Sequence, residues 1–109
     1  MKITFYHYKD DDITINTDIV LEDGKLLFDG FDSGKRVGEI RGISDDYEYK
    51  LSLDEENTAK LFKLLDADDK TDEEKLNLIK ERFGREGSTS EFSEFCDKNG
   101  IKTEFFCWP

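Results

Sequence analysis

Proline, cysteine and histidine are nearly absent from this sequence. Its one proline is Pro109, at the end of the 109 residues, so no proline interrupts an earlier helix or strand. Two cysteines, Cys96 and Cys107, are too few for a disulfide framework. We expect two buried thiols, and a disulfide between them would need an oxidising compartment. His7, the only histidine, lacks a zinc-ligand neighbour in sequence, and we expect it to be structural unless a distant partner joins it.

Long apolar runs and catalytic signatures are missing as well. No stretch approaches the roughly 20 apolar residues that span a membrane, and the N-terminus lacks the apolar core of a secretory signal. We therefore expect a cytoplasmic protein without membrane contact. The patterns G-x-S-x-G, C-x-x-C and H-E-x-x-H do not occur. We expect no enzyme, no cofactor and no metal.

Two segments resemble ligand loops only superficially. Gly30–Arg36 is one residue shorter than a phosphate loop and has arginine where the magnesium-binding hydroxyl belongs. Asp66–Asn77 has Lys70 and Thr71 where a calcium loop needs a ligand and glycine. We interpret them as a turn and a solvated link.

Positive charge is scarce relative to negative charge. The chain has 16 basic and 27 acidic residues, which gives a formal charge of −11. Phosphate groups repel such a surface, so we expect no binding to nucleic acid or to anionic membrane. A basic protein partner fits this charge, and solubility alone is the alternative explanation.

The stretch from Asp46 to Leu65 contains a strand pattern followed directly by a helix pattern. Alternating apolar residues at Tyr47–Leu53 predict a half-buried strand inside a sheet. Apolar residues at helical spacing follow from Thr58 to Leu65. Either a Ser52-x-x-Glu55 capping box or an Asp54 cap starts that helix.

The residues before this stretch alternate like an antiparallel meander. Strand patterns occupy Lys2–Tyr8, Ile13–Leu21 and Lys25–Phe31, and a shorter, glycine-interrupted pattern occupies Val37–Ile43. Asp23-Gly24 predicts a tight type I′ hairpin turn. We expect four to five N-terminal strands.

The residues after this stretch predict two more helices and a last strand. Thr71-x-x-Glu74 and Ser88-x-x-Glu91 are capping boxes, Gly84 follows one helix, and Asn99-Gly100 ends the other. Ile101–Trp108 has large groups on both faces, so we expect a buried strand that returns to the sheet beside the first strand. The predicted fold is one α+β domain over residues 1–109: an antiparallel meander, three helices packed on it, and a returning C-terminal strand.

Acidic clusters in the predicted turns are the main functional signal. In a meander, alternate turns lie at the same end of the sheet, so the acidic clusters Asp10–Asp12 and Glu22-Asp23 should lie at opposite ends, and Asp45-Asp46 can join one of them. Exposed tyrosines beside such acids would suit a partner rich in Arg and Lys. This hypothesis requires the charge to gather on one facet with exposed rings. The candidate partner-binding residues are Asp10, Asp11, Asp12, Asp45, Asp46, Tyr47, Tyr49, Tyr6 and Tyr8.

The DYEYKLSL strand, the capped helix and the closing EFCDKNGIKTEFFCW segment resemble a group of small uncharacterised bacterial proteins. In size and acidity the chain also resembles immunity proteins of bacterial toxin systems and phage-coded inhibitors of defence nucleases. The resemblance implies a binding protein that occludes a basic, nucleic-acid-active partner. The alternative is an intracellular structural or regulatory domain, acidic for solubility and homodimeric through an edge strand.

Overall fold

The computed structural model describes residues 1–34, 46–84 and 89–108. Within these ranges the chain forms one five-stranded antiparallel sheet and three helices, which confirms the predicted α+β class. The strands are β1 (Lys2–Lys9), β2 (Thr14–Glu22), β3 (Lys25–Ser33), β4 (Asp46–Leu53) and β5 (Glu104–Trp108). The helices are α1 (Glu55–Leu64), α2 (Asp72–Phe83) and α3 (Ser90–Lys98).

The first four strands form the predicted meander. Each strand pairs with the next in antiparallel register, in the order β1-β2-β3-β4. The turn between β2 and β3 has positive φ at Asp23 (53°) and Gly24 (75°), as a type I′ hairpin turn requires. The predicted strand Val37–Ile43 lies outside the described residues.

The C-terminal strand does return to the sheet, but the prediction of its neighbour was wrong. β5 pairs antiparallel with β4, with Phe105 opposite Leu51, and not with β1. The backbone N–H of Lys102 donates to Asn57 Oδ1 at 2.9 Å, which fixes the chain near the start of α1 just before β5 begins. Since α1 follows β4 directly, this contact returns the chain beside β4.

The expected burial of the last strand was also wrong. Phe105 is 52% exposed and Phe106 is 61% exposed. β5 is the end strand of the described sheet, so its side chains have a neighbouring strand on one side only. An apolar sequence therefore lies at a solvent-facing edge.

The helix caps decide between the alternatives that the sequence left open. Asp54, and not Ser52, caps α1, because its side chain accepts from the Asn57 backbone N–H at 2.8 Å while Ser52 lies within β4.

The capping box of Thr71 and Glu74 at α2 is confirmed. Gly84 ends α2 with φ −85°, in a right-handed conformation, and Ser88 of the predicted third box lies outside the described residues. At the other end of α3, Asn99 is the C-cap and Gly100 has φ 69°.

The helices cover one face of the sheet, at the end formed by the β2–β3 turn. α1 packs on β3 and β4, and α2 packs on β1 and β2. Phe28 of β3 lies at the centre, with its ring 5.0 Å from Phe5 and 4.7 Å from Phe92 of α3. Phe83 of α2 contacts Phe92 edge-on at 5.3 Å. This row of rings joins the sheet to two helices and forms the main core.

The other end of the same face carries a second cluster, formed by Ile13, Tyr47 and Tyr49. Tyr49 on β4 reaches across β3 to β2, where its hydroxyl lies 2.8 Å from Thr17 Oγ1 in a buried hydrogen bond. The ring passes directly over Gly30, where an added Cβ would lie 2.1 Å from the ring. Glycine at position 30 therefore lets one side chain link three strands.

The opposite face of the sheet has no helix packed on it among the described residues. Its side chains alternate with those of the core, and most are polar, as in antiparallel sheets with one solvated face. Lys2 and Asp18 form a loose ion pair there at 3.8 Å. None of the helices in the described ranges is long and apolar enough to span a membrane.

We expect Gly30→Ala to destabilise the fold by about 1–3 kcal/mol, because the new methyl group displaces the Tyr49 ring. In a Tyr49→Val background the same change should have little effect, because valine does not reach across β3. Chemical denaturation of the four proteins in this double-mutant cycle measures the coupling. Asp29→Ala, on the solvated face of the same strand, is the control. Equal losses of stability on Gly30→Ala in both backgrounds would contradict the position of the Tyr49 ring over Gly30.

Helix capping should make stability depend on pH. Hydrogen bonds from the Asn57 backbone and side chain hold the pKa of Asp54 below its usual value. A lowered pKa in the folded state stabilises the fold above the unfolded value, about 4, and this contribution disappears as pH falls through the lower folded value. Below pH about 4, the wild-type melting temperature should fall more steeply than that of Asp54→Asn, which does not titrate. Thermal melts at several pH values check this, with Asp69→Asn as the control for the lost charge. Parallel curves of melting temperature against pH for the wild type and Asp54→Asn would contradict it.

Candidate partner-binding surface

The predicted acidic turn lies at the end of the sheet away from the β2–β3 turn. Asp10, Asp11 and Asp12 connect β1 to β2, and β4 begins at Asp46 at the same end, opposite Ser33 of β3. The meander thus brings Asp46 to this end of the sheet and places Glu22-Asp23 at the other, as the topology predicted. Asp45 lies outside the described residues.

Asp10 organises this turn from within. Its Oδ1 accepts from the backbone N–H groups of Asp12 (2.8 Å) and Ile13 (2.9 Å), and its Oδ2 accepts from the Tyr8 hydroxyl at 2.7 Å. The Asp10 N–H in turn donates to the Ile13 carbonyl at 2.9 Å. Asp11 and Asp12 are exposed. Asp10 is therefore a turn-forming residue, and its two neighbours present the charge.

The four predicted tyrosines do not share one exposed surface. Tyr8 is 40% exposed, and Tyr6 is half-buried against the main core. Tyr47 and Tyr49 are each 8% exposed, so the expectation that they are exposed anchors was wrong. Both point to the face that carries the core, and their rings pack against each other at 5.9 Å. Tyr8 is the one exposed ring at this end among the predicted tyrosines.

A groove at the opposite end of the sheet gathers more acidic residues than the predicted turn. It has a volume of about 960 Å³ and lies between the β2–β3 turn, the start of α1, the end of α3 and the start of β5. Five carboxylates and two lysines line it. The acidic residues are Glu22, Asp23, Asp54, Asp97 and Glu104, and the basic ones are Lys25 and Lys102.

Hydrogen bonds between elements hold one wall of this acidic groove in place. Asp54 Oδ1 accepts from both the backbone N–H and the Nδ2 of Asn57, at 2.8 and 2.9 Å. Asn57 Oδ1 accepts from the Lys102 N–H, and Lys60 Nζ donates to the Gly100 carbonyl at 2.9 Å. The start of α1 is thus bonded to the segment that leads into β5. These contacts fix the backbone that carries Asp54 relative to the segment that leads to Glu104.

Sequence reasoning recognised only part of this groove. It identified Glu22-Asp23 as an acidic cluster and Asp54 as a cap, but not Asp97 or Glu104 as neighbours of either. Those residues lie far apart in the chain, and only the return of β5 beside β4 brings them together. The antiparallel return of the last strand was the available signal, but the strand was expected beside β1.

The hypothesis required the acidic groups to gather on one facet, and they do not. Their main clusters lie in the Asp10–Asp12 turn, in the acidic groove, and along the exposed link and first turn of α2 from Asp66 to Glu74, and others are scattered over the sheet and helices. The first turn of α2 is explained by its capping box and by the helix dipole. A smaller pocket of about 310 Å³ also reaches the link, and three carboxylates, Glu55, Asp68 and Asp72, line it. The acidic groove, with five carboxylates and about 960 Å³, is the larger and more acidic of these two concave sites.

Metal-binding groups and reactive thiols add little to this surface. Within the described ranges, no group of three or more His, Cys, Asp or Glu residues is arranged to hold a metal ion. Both cysteines are free thiols; Cys96 is buried, as predicted, but Cys107 on β5 is exposed, against prediction. Burial raises the pKa of Cys96 to about 11.

Fold and surface define a small α+β domain with an open sheet face and an acidic groove. Comparisons with protein-family models, curated proteins and solved structures find no match for this chain. The function must therefore be argued from the surface itself.

We expect the two thiols to react at very different rates with a thiol reagent such as DTNB at pH 8. Cys107 should react within the mixing time to minutes, because it is exposed, whereas buried Cys96 should react only as the protein opens. Absorbance at 412 nm follows the reaction, and Cys107→Ser should abolish the fast phase alone. A fast phase that persists in Cys107→Ser would contradict this assignment.

Proposed function

We propose that this chain is an acidic protein-binding module of the inhibitor or immunity type. It acts in the cytoplasm by covering the basic, nucleic-acid-binding surface of a protein partner, and it performs no catalysis itself. The acidic groove is the observation that supports this function best. A basic segment of the partner would lie in it and place Arg or Lys side chains near its carboxylates.

Shape and charge both favour such a partner. The groove residues include three more carboxylates than lysines, and the whole chain has a formal charge of −11. Opposite potentials on two proteins raise their association rate and exclude like-charged competitors. A groove of about 960 Å³ is large enough for several side chains of a peptide segment.

Rigidity of the groove favours specific binding over diffuse attraction. The bonds from Asn57 to Asp54 and Lys102 join the start of α1 to the segment before β5 before any partner arrives. A partner therefore meets the Asp54 carboxylate already held in place, and less conformational entropy is lost at this residue on binding. The Asp10–Asp12 turn, with exposed Tyr8, provides a second acidic contact at the far end of the sheet.

The test compares two variants that remove the same charge from different parts of the molecule. The groove variant carries Asp23→Asn, Asp97→Asn and Glu104→Gln, and leaves the Asp54 cap intact. The control carries Asp29→Asn, Glu48→Gln and Glu81→Gln, which lie outside the acidic groove and outside the Asp10–Asp12 turn. Immobilised proteins are exposed to lysate from the native host at about 100 and 500 mM NaCl, and bound proteins are identified by mass spectrometry.

We expect the wild type and the control to capture a basic protein that high salt releases. The groove variant should capture at least tenfold less of this protein. The captured protein is then purified, and the chain should inhibit its nuclease or nucleic-acid-binding activity in proportion to binding. Equal loss in both triple variants would show that net charge, not the groove, attracts the partner. Capture without inhibition would contradict an inhibitor.

A further inference from the structure

The two edges of the described sheet differ in how they are protected against pairing. β1 has Lys2 and Lys9 at its ends and a register shift between Thr4 and Tyr6. Lysines and bulges of this kind keep edge strands from joining other chains. β5 pairs with β4 without a register shift, and its one charged residue is Glu104. The edge at β5 is therefore open to a further strand.

Apolar side chains extend from both faces of this edge. Phe105 and Phe106 are the two most exposed large apolar side chains in the described part of the chain. Phe105 is on the face that carries the core, where its ring stacks on Tyr49 at 6.1 Å, and Phe106 is on the solvated face, opposite Lys50. A strand with apolar groups on both its faces would cover both rings.

β5 itself is such a strand, and its sequence is self-complementary in antiparallel pairing. If two copies meet with Phe106 opposite Phe106, then Phe105 lies opposite Cys107 and Glu104 lies opposite Trp108. This register pairs all five residues of the strand and brings no like charges face to face. It is related by a two-fold axis, as in most protein dimers.

We propose that the outer edge of β5 pairs with β5 of a second copy of this chain, which joins two five-stranded sheets into one. The described helices do not oppose this arrangement, because α1 and α2 pack over β1 to β4 and Phe92 of α3 packs on Phe28 of β3. The dimer interface shares Glu104 with the acidic groove, but its other residues lie outside the groove, and it does not depend on the proposed inhibitor function.

Size and charge predict a weak dimer that salt strengthens. A five-residue strand spans about 17 Å, and such an edge contact lies below the roughly 1,200 Å² of a standard stable interface. Each copy has a formal charge of −11, so the two copies repel each other at low ionic strength. Added salt should favour the dimer, whereas it should weaken binding to a basic partner.

Sedimentation velocity tests the dimer at chain concentrations from about 10 µM to 1 mM, with reductant, at about 50 and 500 mM NaCl. The wild type should shift towards a dimer as concentration rises, and more so at high salt. Phe106→Lys places two positive charges opposite each other at the two-fold axis and should raise the dissociation constant at least tenfold. Circular dichroism confirms that the variant is folded.

The matched control is Thr4→Lys, which adds the same charge at the β1 edge and should leave the dimer unchanged. A wild type that stays monomeric at 1 mM in both salts would overturn the proposal. So would equal loss of the dimer in Thr4→Lys and Phe106→Lys, because the contact would then not lie at β5.

Cross-linking tests the register. Residues directly opposite each other in antiparallel strands have Cα atoms about 4.5–5.5 Å apart, within the range of a disulfide. Under mild oxidation, Phe105→Cys should therefore give a covalent dimer through Cys107 of the second copy. Phe105→Cys combined with Cys107→Ser should give at least tenfold less covalent dimer. Equal cross-linking in both proteins, or none in either, would overturn this register.

Discussion

Burial of aromatic side chains on one end of one sheet face is the constraint on which this structure depends. Phe28 sits between Phe5 of β1 and Phe92 of α3, and Phe92 contacts Phe83 of α2. Three short helices cover only part of a five-stranded sheet. The rest of the sheet must be stabilised in another way, and within the described residues one of its faces has no helix packed on it and neither of its edges has a further strand.

Tyr49 is the substitute for helix packing at the far end of this face. Its ring crosses Gly30 and its hydroxyl forms a hydrogen bond with Thr17. One side chain therefore links three strands where no described helix packs. This role explains why Tyr49 is buried on the same face of β4 as Leu51 and Leu53. A residue that resembles a binding anchor in sequence is a packing residue in the fold.

The position of β5 creates both functional proposals. Because β5 returns beside β4, Glu104 meets Asp23, Asp54 and Asp97 across a groove, and the same strand leaves its other edge unpaired in the described sheet. We propose that the first surface binds basic groups, with an affinity that salt lowers, and that the second joins apolar edges of two like-charged chains, with an affinity that salt raises. The position of one strand thus underlies two proposed contacts with opposite expected responses to ionic strength.

The sequence by itself determined the elements that local chemistry controls. Alternation predicted the meander strands, Asp23-Gly24 predicted its tight turn, and Thr71 with Glu74 predicted the start of α2, because each depends on residues close together in the chain. Only the tertiary structure decided which strand β5 joins, that the Tyr49 side chain crosses Gly30 to reach Thr17, and which carboxylates share a groove. These features depend on contacts between distant segments, such as the bond from Lys102 to Asn57, and local periodicity contains no information about them.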